Sequence, residues 1–380
     1  MRILHVLGGL NRGGAETWLV QTLRHIDRSR FQFDFLVHTE RPCSYDDDVR
    51  SLGARIMPCP APSDPIRYGR NFLRILWENG PYDCVHSHVH RFSGYVLTLA
   101  RLAGVPVRIA HSHLADEGAD GRKLYRLVMA SLLRVGATAG LAVSEKAATS
   151  LFGVDWSEDP RWQICHLGIE LERFSAPVDS CKTRAQLGIP ERAIVVGHVG
   201  RFFPQKNHTF LLDIAAQVCA RNPDVIFLLV GDGPLRIDIE AKAESLGIAR
   251  HIKFVGVRDD IMQLMTGVMD IFVLPSLYEG FPLVLLEAQA AGLLCFVADT
   301  VSEETVISPR LVKRLPLTDS ASLWAAALLG TLPPPAKQSP PDAVREFSIT
   351  AAVTRLCSVY EQQQQQQQRK FNATGAPCEA

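Results

Sequence analysis

The chain has no excess of either charge: 40 Lys and Arg balance 40 Asp and Glu over 380 residues. Without a basic surplus, broad nucleic-acid binding is not expected, although a local basic patch remains allowed. Nine cysteines, at 43, 59, 84, 165, 181, 219, 295, 357 and 378, form no Cys-x-x-Cys pair and no Cys/His zinc spacing. Cys84, Cys219 and Cys295 sit inside apolar runs and read as small buried hydrophobes. An odd, dispersed set of this kind suits a reducing compartment. No apolar stretch approaches the roughly 20 residues of a membrane span. The opening Met1-Arg2-Ile3-Leu4-His5-Val6-Leu7 reads as a strand rather than a signal peptide. The expectation is a cytoplasmic protein, with membrane association at the inner face kept as an option.

What is present is apolar content, 47% of the residues, arranged in alternating strand and helix patterns. Strand-like runs at 3–7, 33–37, 83–86, 105–110, 139–143 and 162–167 alternate with helical periodicity at 15–26, 67–79, 93–103 and 122–135. A second series begins at 194–199 and continues through 225–230, 252–255, 271–274 and 294–297. Its helices are read at 207–220, 234–246, 259–266 and 283–291. Repeated βα units imply parallel sheets covered by helices. The fold class expected is α/β, with two Rossmann-like parallel-sheet domains facing each other across a cleft. Residues 1–175 form the first domain, the polar stretch 176–192 a linker, and 193–342 the second domain. A helix over 343–361 is expected to return to the first domain, with Phe347, Leu356 and Tyr360 as its anchors. The Gln-rich tail 362–380 lacks apolar content and is expected to be disordered.

The most informative segment is Leu274-Pro275-Ser276-Leu277-Tyr278-Glu279-Gly280-Phe281-Pro282, running on to Glu287. A buried strand breaks at Pro275, turns through Glu279 and Gly280, and enters a helix with Pro282 at its first position. Two carboxylates thus stand near one helix N-terminus, whose free N–H groups and partial positive charge suit a phosphate. Glu287 offers acceptor oxygens to a hydroxyl-rich group such as a ribose.

Other strand ends carry related chemistry. Gly8-Gly9-Leu10-Asn11-Arg12-Gly13-Gly14-Ala15-Glu16 is a glycine-rich turn into a helix; it meets neither the dinucleotide fingerprint nor the P-loop pattern. Gly200-Arg201 and Lys206 follow the first strand of the second series. Their cations suit a diphosphate, Arg as a planar fork and Lys as a point charge. Gly231 and Gly256 mark two further strand-to-helix bends.

The Glu279/Glu287 spacing resembles the Glu-x7-Glu motif of retaining nucleotide-sugar glycosyltransferases of family 4, which have the GT-B fold. Gly200-Arg201 and Lys206 resemble that family's G-R-x-x-x-x-K motif, and Gly13-Gly14-Ala15-Glu16 its GGAE-type loop. Ala142-Val143-Ser144 also matches. His166-Leu167-Gly168-Ile169-Glu170 with Phe174 is similar to the N-G-I/V-D-x-x-x-F segment, with Asn and Asp replaced; Gly168 and Phe174 are read as structural. The resemblance extends to about residue 361.

It implies an enzyme that moves a sugar with retention from a nucleoside-diphosphate sugar, most often UDP-linked, in capsule or exopolysaccharide biosynthesis. The acceptor would be a glycan or a polyprenyl-linked saccharide. It further implies that Gly13, Gly14, Arg201 and Lys206 bind the donor diphosphate. Glu287, Gly231, Val257 and Leu283 would line the ribose and nucleotide site, with the base near Gly256, Val257 and Arg258. Glu279 would hold a donor-sugar hydroxyl. His113, with His111 as the near alternative, would be the active-site histidine. No cofactor is implied, and no metal is needed for the chemistry.

His86-Ser87-His88-Val89-His90 and His111-Ser112-His113 both follow strands. His-x-His pairs can ligate zinc, but no third ligand spacing accompanies either pair, so the expectation is no metal. Asp116 and Glu117 are weaker candidates for acceptor hydroxyls. Residues 121–134 form a basic amphipathic helix, expected to bury one face on its own sheet. The sharper reading is contact with anionic lipid. Two alternatives stay open: a GT-B-like sugar-nucleotide 2-epimerase, and a non-catalytic nucleotide-sugar binding protein. A glycoside hydrolase is disfavoured because these carboxylates sit in a nucleotide-type setting.

Overall fold

The computed structural model describes residues 1–60, 62–115, 123–175, 178–334, 336–337 and 342–373. The chain divides into two compact units. Met1–Gly168 with Ile349–Ala380 forms the N-terminal unit, and Ile169–Ser348 the C-terminal unit.

The N-terminal unit holds a seven-stranded sheet. Its strands are β1 (Arg2–Leu7), β2 (Gln32–Val37), β3 (Ile56–Pro58), β4 (Cys84–Ser87), β5 (Val107–Ser112), β6 (Ala139–Ala142) and β7 (Trp162–Ile164). They lie in the order β3-β2-β1-β4-β5-β6-β7, and every pairing is parallel. The C-terminal unit has six strands: β8 (Ile194–Val199), β9 (Val225–Val230), β10 (Ile252–Phe254), β11 (Ile271–Leu274), β12 (Leu294–Ala298) and β13 (Val312–Leu315). Their order, β10-β9-β8-β11-β12-β13, is again all parallel. Both sheets therefore reverse direction of winding once, between β1 and β4 and between β8 and β11. Ligands of such sheets bind outside the carboxyl ends of the strands at that point. The central strands are apolar at nearly every position because helices cover both faces; all six residues of β9 are buried.

The sequence expectations fail in a few places for identifiable reasons. The edge strands β3 and β13 escape a reading by apolar runs, being short and only partly buried. The stretch expected to be a linker contains the helix Ser180–Gln186, capped by Asp179, whose carboxylate accepts from Lys182 N–H at 3.0 Å. Phe347 precedes the last helix rather than anchoring it and stacks on Phe281, with ring centroids 5.8 Å apart. Leu356 and Tyr360 are buried in the N-terminal unit. The Gln tract is not disordered where described, because the helix Ile349–Ala373 runs through it. Gln is a good helix former, and adding residues to an anchored helix avoids the cost of nucleation.

In the C-terminal unit the loops after β8, β9 and β10 are stitched together by main-chain bonds. Gly200 N–H donates to Val230 O at 3.0 Å, Phe202 N–H to Asp232 O at 2.9 Å, and Gly231 N–H to Gly256 O at 2.8 Å. Gly231 has φ +135, and a Cβ there would stand 2.1 Å from Gly200 O. Only glycine tolerates both the dihedral and the approach. Gly231→Ala is expected to destabilise the C-terminal unit by about 2–4 kcal/mol. A chemical-denaturation midpoint equal to that of the unmutated chain would show that the loops are not held this way.

Candidate active site

In the C-terminal unit, chemistry collects where the sheet reverses. The loop after β8 carries Arg201 and Lys206; the loop after β11 carries Glu279. Lys206 Nζ donates to Glu279 Oε1 at 2.5 Å, and the two side chains retain only 15% and 7% of their exposure. Gln205 ties the same loops: its Nε2 donates to Tyr278 O at 2.9 Å and Glu279 Oε2 at 3.3 Å, and its own carbonyl accepts from Leu277 N–H at 2.8 Å. Arg201 is exposed, with its guanidinium carbon 4.3 Å from the centroid of Phe203. One cation is therefore fixed by a buried partner, and the other is displayed on an aromatic face.

Glu287 lies on the helix Leu283–Ala290, which Pro282 precedes as an extended cap residue rather than opening as its first residue. No side chain caps this N-terminus, so its first N–H groups are not taken up by a side-chain oxygen of the cap residue. Glu287 is half-buried. Burial pushes its pKa up to about 7, with Arg173 opposing and Glu170 reinforcing the shift. Leu283 is buried. Val257, beside Gly256 at φ +68, is 54% exposed. Arg258 is paired with Asp260, its Nε at 2.7 Å from Oδ1.

Sequence reasoning missed His198, near the end of β8. Its Nδ1 lies 2.9 Å from Val273 O, and burial lowers its pKa to about 4, so the ring is neutral. The only signal was a histidine inside an apolar strand, which does not distinguish a core residue from a site residue.

In the N-terminal unit, Gly13 precedes the helix Gly14–His25, again without a side-chain cap bond, and the Glu16 carboxylate stands over it. Against Trp18 of this helix lies an assembly of histidines. His86 and His88 follow the course of β4, His111 and His113 that of β5, and His5 enters from β1. His5 Nδ1 and His88 Nε2 are 3.0 Å apart, and His88 Nδ1 and His113 Nε2 are 2.9 Å apart. His86 Nδ1 contacts Tyr360 Oη at 2.7 Å. Desolvation lowers all five pKa values, to about 3 for His5 and His113. The expectation that each His-x-His pair lacks a third ligand is corrected by the fold. Neighbouring parallel strands place the pairs side by side, and two groups of three imidazoles result. Asp116 and Glu117 lie outside the described residues.

A hollow bordered by Arg2, Phe33, Asp34 and Arg55 lies at the amino ends of β1 and β2, away from these loops. Its charge is already committed, with Arg55 Nη2 at 2.6 Å and Tyr82 Oη at 2.9 Å from the Asp34 carboxylate.

Two all-parallel Rossmann-type units with functional groups at the strand carboxyl ends define the GT-B class. HepE of Anabaena, solved in complex with UDP-glucose, superposes with a TM-score of 0.73 over 98% of this chain and 100% of its own, at 19% identity. Sucrose-phosphate synthase of Thermosynechococcus elongatus gives 0.76 over 95% and 99%, at 20% identity. These likenesses establish the fold. Residues 179–313 match the family described as glycosyl transferases group 1, and residues 13–161 the glycosyl transferase 4-like domain. The putative glycosyltransferase EpsF of Bacillus subtilis is 40% identical over 333 residues, 86% of each chain. The UDP-Gal:alpha-D-GlcNAc-diphosphoundecaprenol alpha-1,3-galactosyltransferase of Escherichia coli is 31% identical over 234 residues, 60% of each. The chain belongs to the group 1, family 4-type glycosyltransferases and is a glycosyltransferase.

The pKa of Glu287 makes stability pH-dependent. Its folded value of about 7 lies above the ordinary value of 4.5, so the folded chain holds the extra proton between those limits. Its contribution is fully present below about pH 4.5 and lost as pH rises through about 7. Glu287→Gln is expected to remove that fall, leaving the ligand-free variant about 1–3 kcal/mol more stable than the parent at pH 8. Parallel unfolding curves across pH 5–8 for the two proteins would contradict it.

Proposed function

We propose that the chain transfers a sugar, with retention, from a UDP-sugar to a glycan or polyprenyl-linked acceptor during polysaccharide assembly. The observation that carries the donor half of this reading is the Lys206–Glu279 pair at the reversal point, with Arg201 displayed beside it. Charge grows on the leaving diphosphate as the glycosidic bond to the donor breaks. Arg201 and Lys206 offset that charge, and such preorganised electrostatic stabilisation commonly contributes more to catalysis than any other effect. Gly13 and Gly14, in the N-terminal unit, offer main-chain amides of the kind that suit phosphate oxygens. Glu279 takes a hydroxyl of the donor sugar, and Glu287 those of the ribose. Gly231, Val257 and Leu283 line the nucleotide site. His113, or His111, is the active-site histidine of this reading. No metal is assigned to the transfer step. The UDP base and the capsule or exopolysaccharide context rest on what the similar proteins bind and build.

The helix Lys123–Gly136 supports a lipid-linked acceptor. An amphipathic helix packed on its own sheet would bury a full apolar face, yet the buried residues here are Leu133 and Gly136 alone. Leu124 and Leu127 are 75% and 62% exposed, and Tyr125 and Val128 are also exposed. Lys123, Arg126 and Arg134 share the helix, which gives the mixed apolar and basic character of a segment resting on an anionic bilayer. Among the described residues no helix is long and apolar enough to cross a membrane, so the proposed contact is peripheral.

Arg201 gives the cleaner test of the phosphate assignment, because Lys206→Ala would strand the Glu279 carboxylate away from water and cost about 3–5 kcal/mol of stability. Arg201→Ala is expected to fold normally, within about 0.5 kcal/mol of the parent. It should weaken UDP at least tenfold in calorimetry and lower turnover at least as much. Unchanged UDP affinity would remove the assignment. A donor incubated alone and recovered as an isomerised sugar would favour the epimerase instead.

The helix makes its own forecast. Leu124→Glu with Leu127→Glu should abolish sedimentation with anionic phospholipid vesicles and leave UDP affinity unchanged. Equal sedimentation of variant and parent would exclude this helix as the contact.

A further inference from the structure

The imidazoles of the N-terminal unit do not satisfy one another. Among the described residues, both ring nitrogens of His111 are buried without a hydrogen-bond partner, as are Nδ1 of His113 and Nε2 of His5 and His86. A neutral imidazole carries one N–H and one lone pair, and each left unpaired away from water costs about 1–3 kcal/mol. Several such atoms converging on one place are unusual for a purely structural core.

We propose that His88, His111 and His113 bind one divalent transition-metal ion of the borderline-soft class, such as zinc. One ligand nitrogen from each of these rings lies within 4.8 Å of the others. Metal–nitrogen bonds of about 2.0–2.1 Å in tetrahedral geometry set the nitrogens about 3.3 Å apart, so adjustments of around an ångström close the site. His88 Nδ1 and His113 Nε2, now 2.9 Å apart, hold one proton between them, which on metal binding would move to the other nitrogen of its own ring and free both facing nitrogens to ligate. That leaves His88 Nε2–H to donate to His5 Nδ1 at 3.0 Å, the kind of second contact that fixes a ligating ring's tautomer and orientation.

The alternative trio of His5, His86 and His88 is less suited. His5 and His86 are fully buried, and the Tyr360 hydroxyl already holds His86. His88 and His113 are only half-buried, which gives the ion a path in. Three neutral nitrogen ligands leave the fourth position for a water or another oxygen ligand. Two of these ligands, His111 and His113, are also the active-site histidines of the proposed function; the ion itself is given no part in the transfer step, so failure of the metal site leaves that function standing.

The test uses the full chain stripped with chelator and titrated with zinc by calorimetry and with cobalt by visible absorption. Trp18 lies 5.5 Å from His111 between ring centroids, so bound cobalt should also quench its fluorescence. One saturable equivalent is expected. His113→Asn and His88→Asn should each weaken it 100-fold or more, and His25→Ala, on an exposed helix end, should leave it within twofold. Circular dichroism of each variant checks folding. X-ray absorption of the zinc-loaded parent needs no variant: nitrogen-only protein ligation at about 2.0 Å supports the site. Sulfur ligation, absence of a saturable equivalent, or affinities within threefold of the parent in both folded variants would overturn it.

Discussion

An ammonium and a carboxylate held 2.5 Å apart and largely out of water join the two loops that carry Arg201, Lys206 and Glu279 in the C-terminal unit. Removing two charges from water is costly, and a pair of this kind is weak evidence of a gain in stability. Here it spans the reversal of the sheet. β8 and β11 are hydrogen-bonded neighbours, but the chain leaves their carboxyl ends toward opposite sides, and nothing in the sheet itself links the loops beyond them. The pair does so, and Gln205 adds two side-chain bonds and one main-chain bond to the same junction. Lys206 is thereby held in one place before any anion arrives. In the proposed role, part of the ordering cost of meeting a diphosphate would be met in folding rather than in binding.

The two units solve the same topological problem with opposite chemistry. Each has one reversal point, and each crowds polar side chains into it. In the C-terminal unit these are full charges, with Lys206 balanced by Glu279. In the N-terminal unit they are imidazoles whose burial holds them uncharged, so they stack and hydrogen-bond in a chain without salt-bridge partners among the described residues. A charged group at the first point can answer the charge of a phosphate. A neutral, polarizable group at the second can meet hydroxyls or a soft cation, and would gain little from a phosphate.

Much of this was legible in the sequence because parallel sheets write their central strands as continuous apolar runs. Val225–Val230 and Ile271–Leu274 could be read with no other information. The Glu279/Glu287 spacing and the Gly200–Lys206 loop could be read as well, since both are local in sequence. The edges could not: Val312–Leu315 carries Lys313 and Arg314 because one side of it faces water. Nor could the couplings. Lys206 and Glu279 are 73 positions apart, and His5 meets His88 across 83. Only the order of the strands brings them together, and no spacing rule encodes that order. The Gln tract misled for a different reason. Composition reports whether a segment can fold alone, whereas this one extends a helix already anchored by Leu356 and Tyr360.

Glu287 is proposed to meet the ribose, and its burial bears directly on that role. Its carboxyl is pushed up to about 7 by burial, although Arg173 pulls the other way. In the ligand-free chain near neutral pH, it is therefore divided between acid and anion. A ribose presents hydroxyl donors, which favour the anion over the acid because only the anion accepts freely on both oxygens. In the proposed role, nucleotide binding would draw the proton off, and the free energy of deprotonating a desolvated group would be subtracted from the gain of the new hydrogen bonds. A glutamate in water would bind without this cost, but its carboxylate would already be hydrogen-bonded to solvent. Burial exchanges that hydration for selectivity: a ligand lacking paired hydroxyls leaves the group protonated or stranded, and either state is disfavoured. In the proposed role, the position that raises the pKa is thus the position that would let the carboxylate discriminate a ribose.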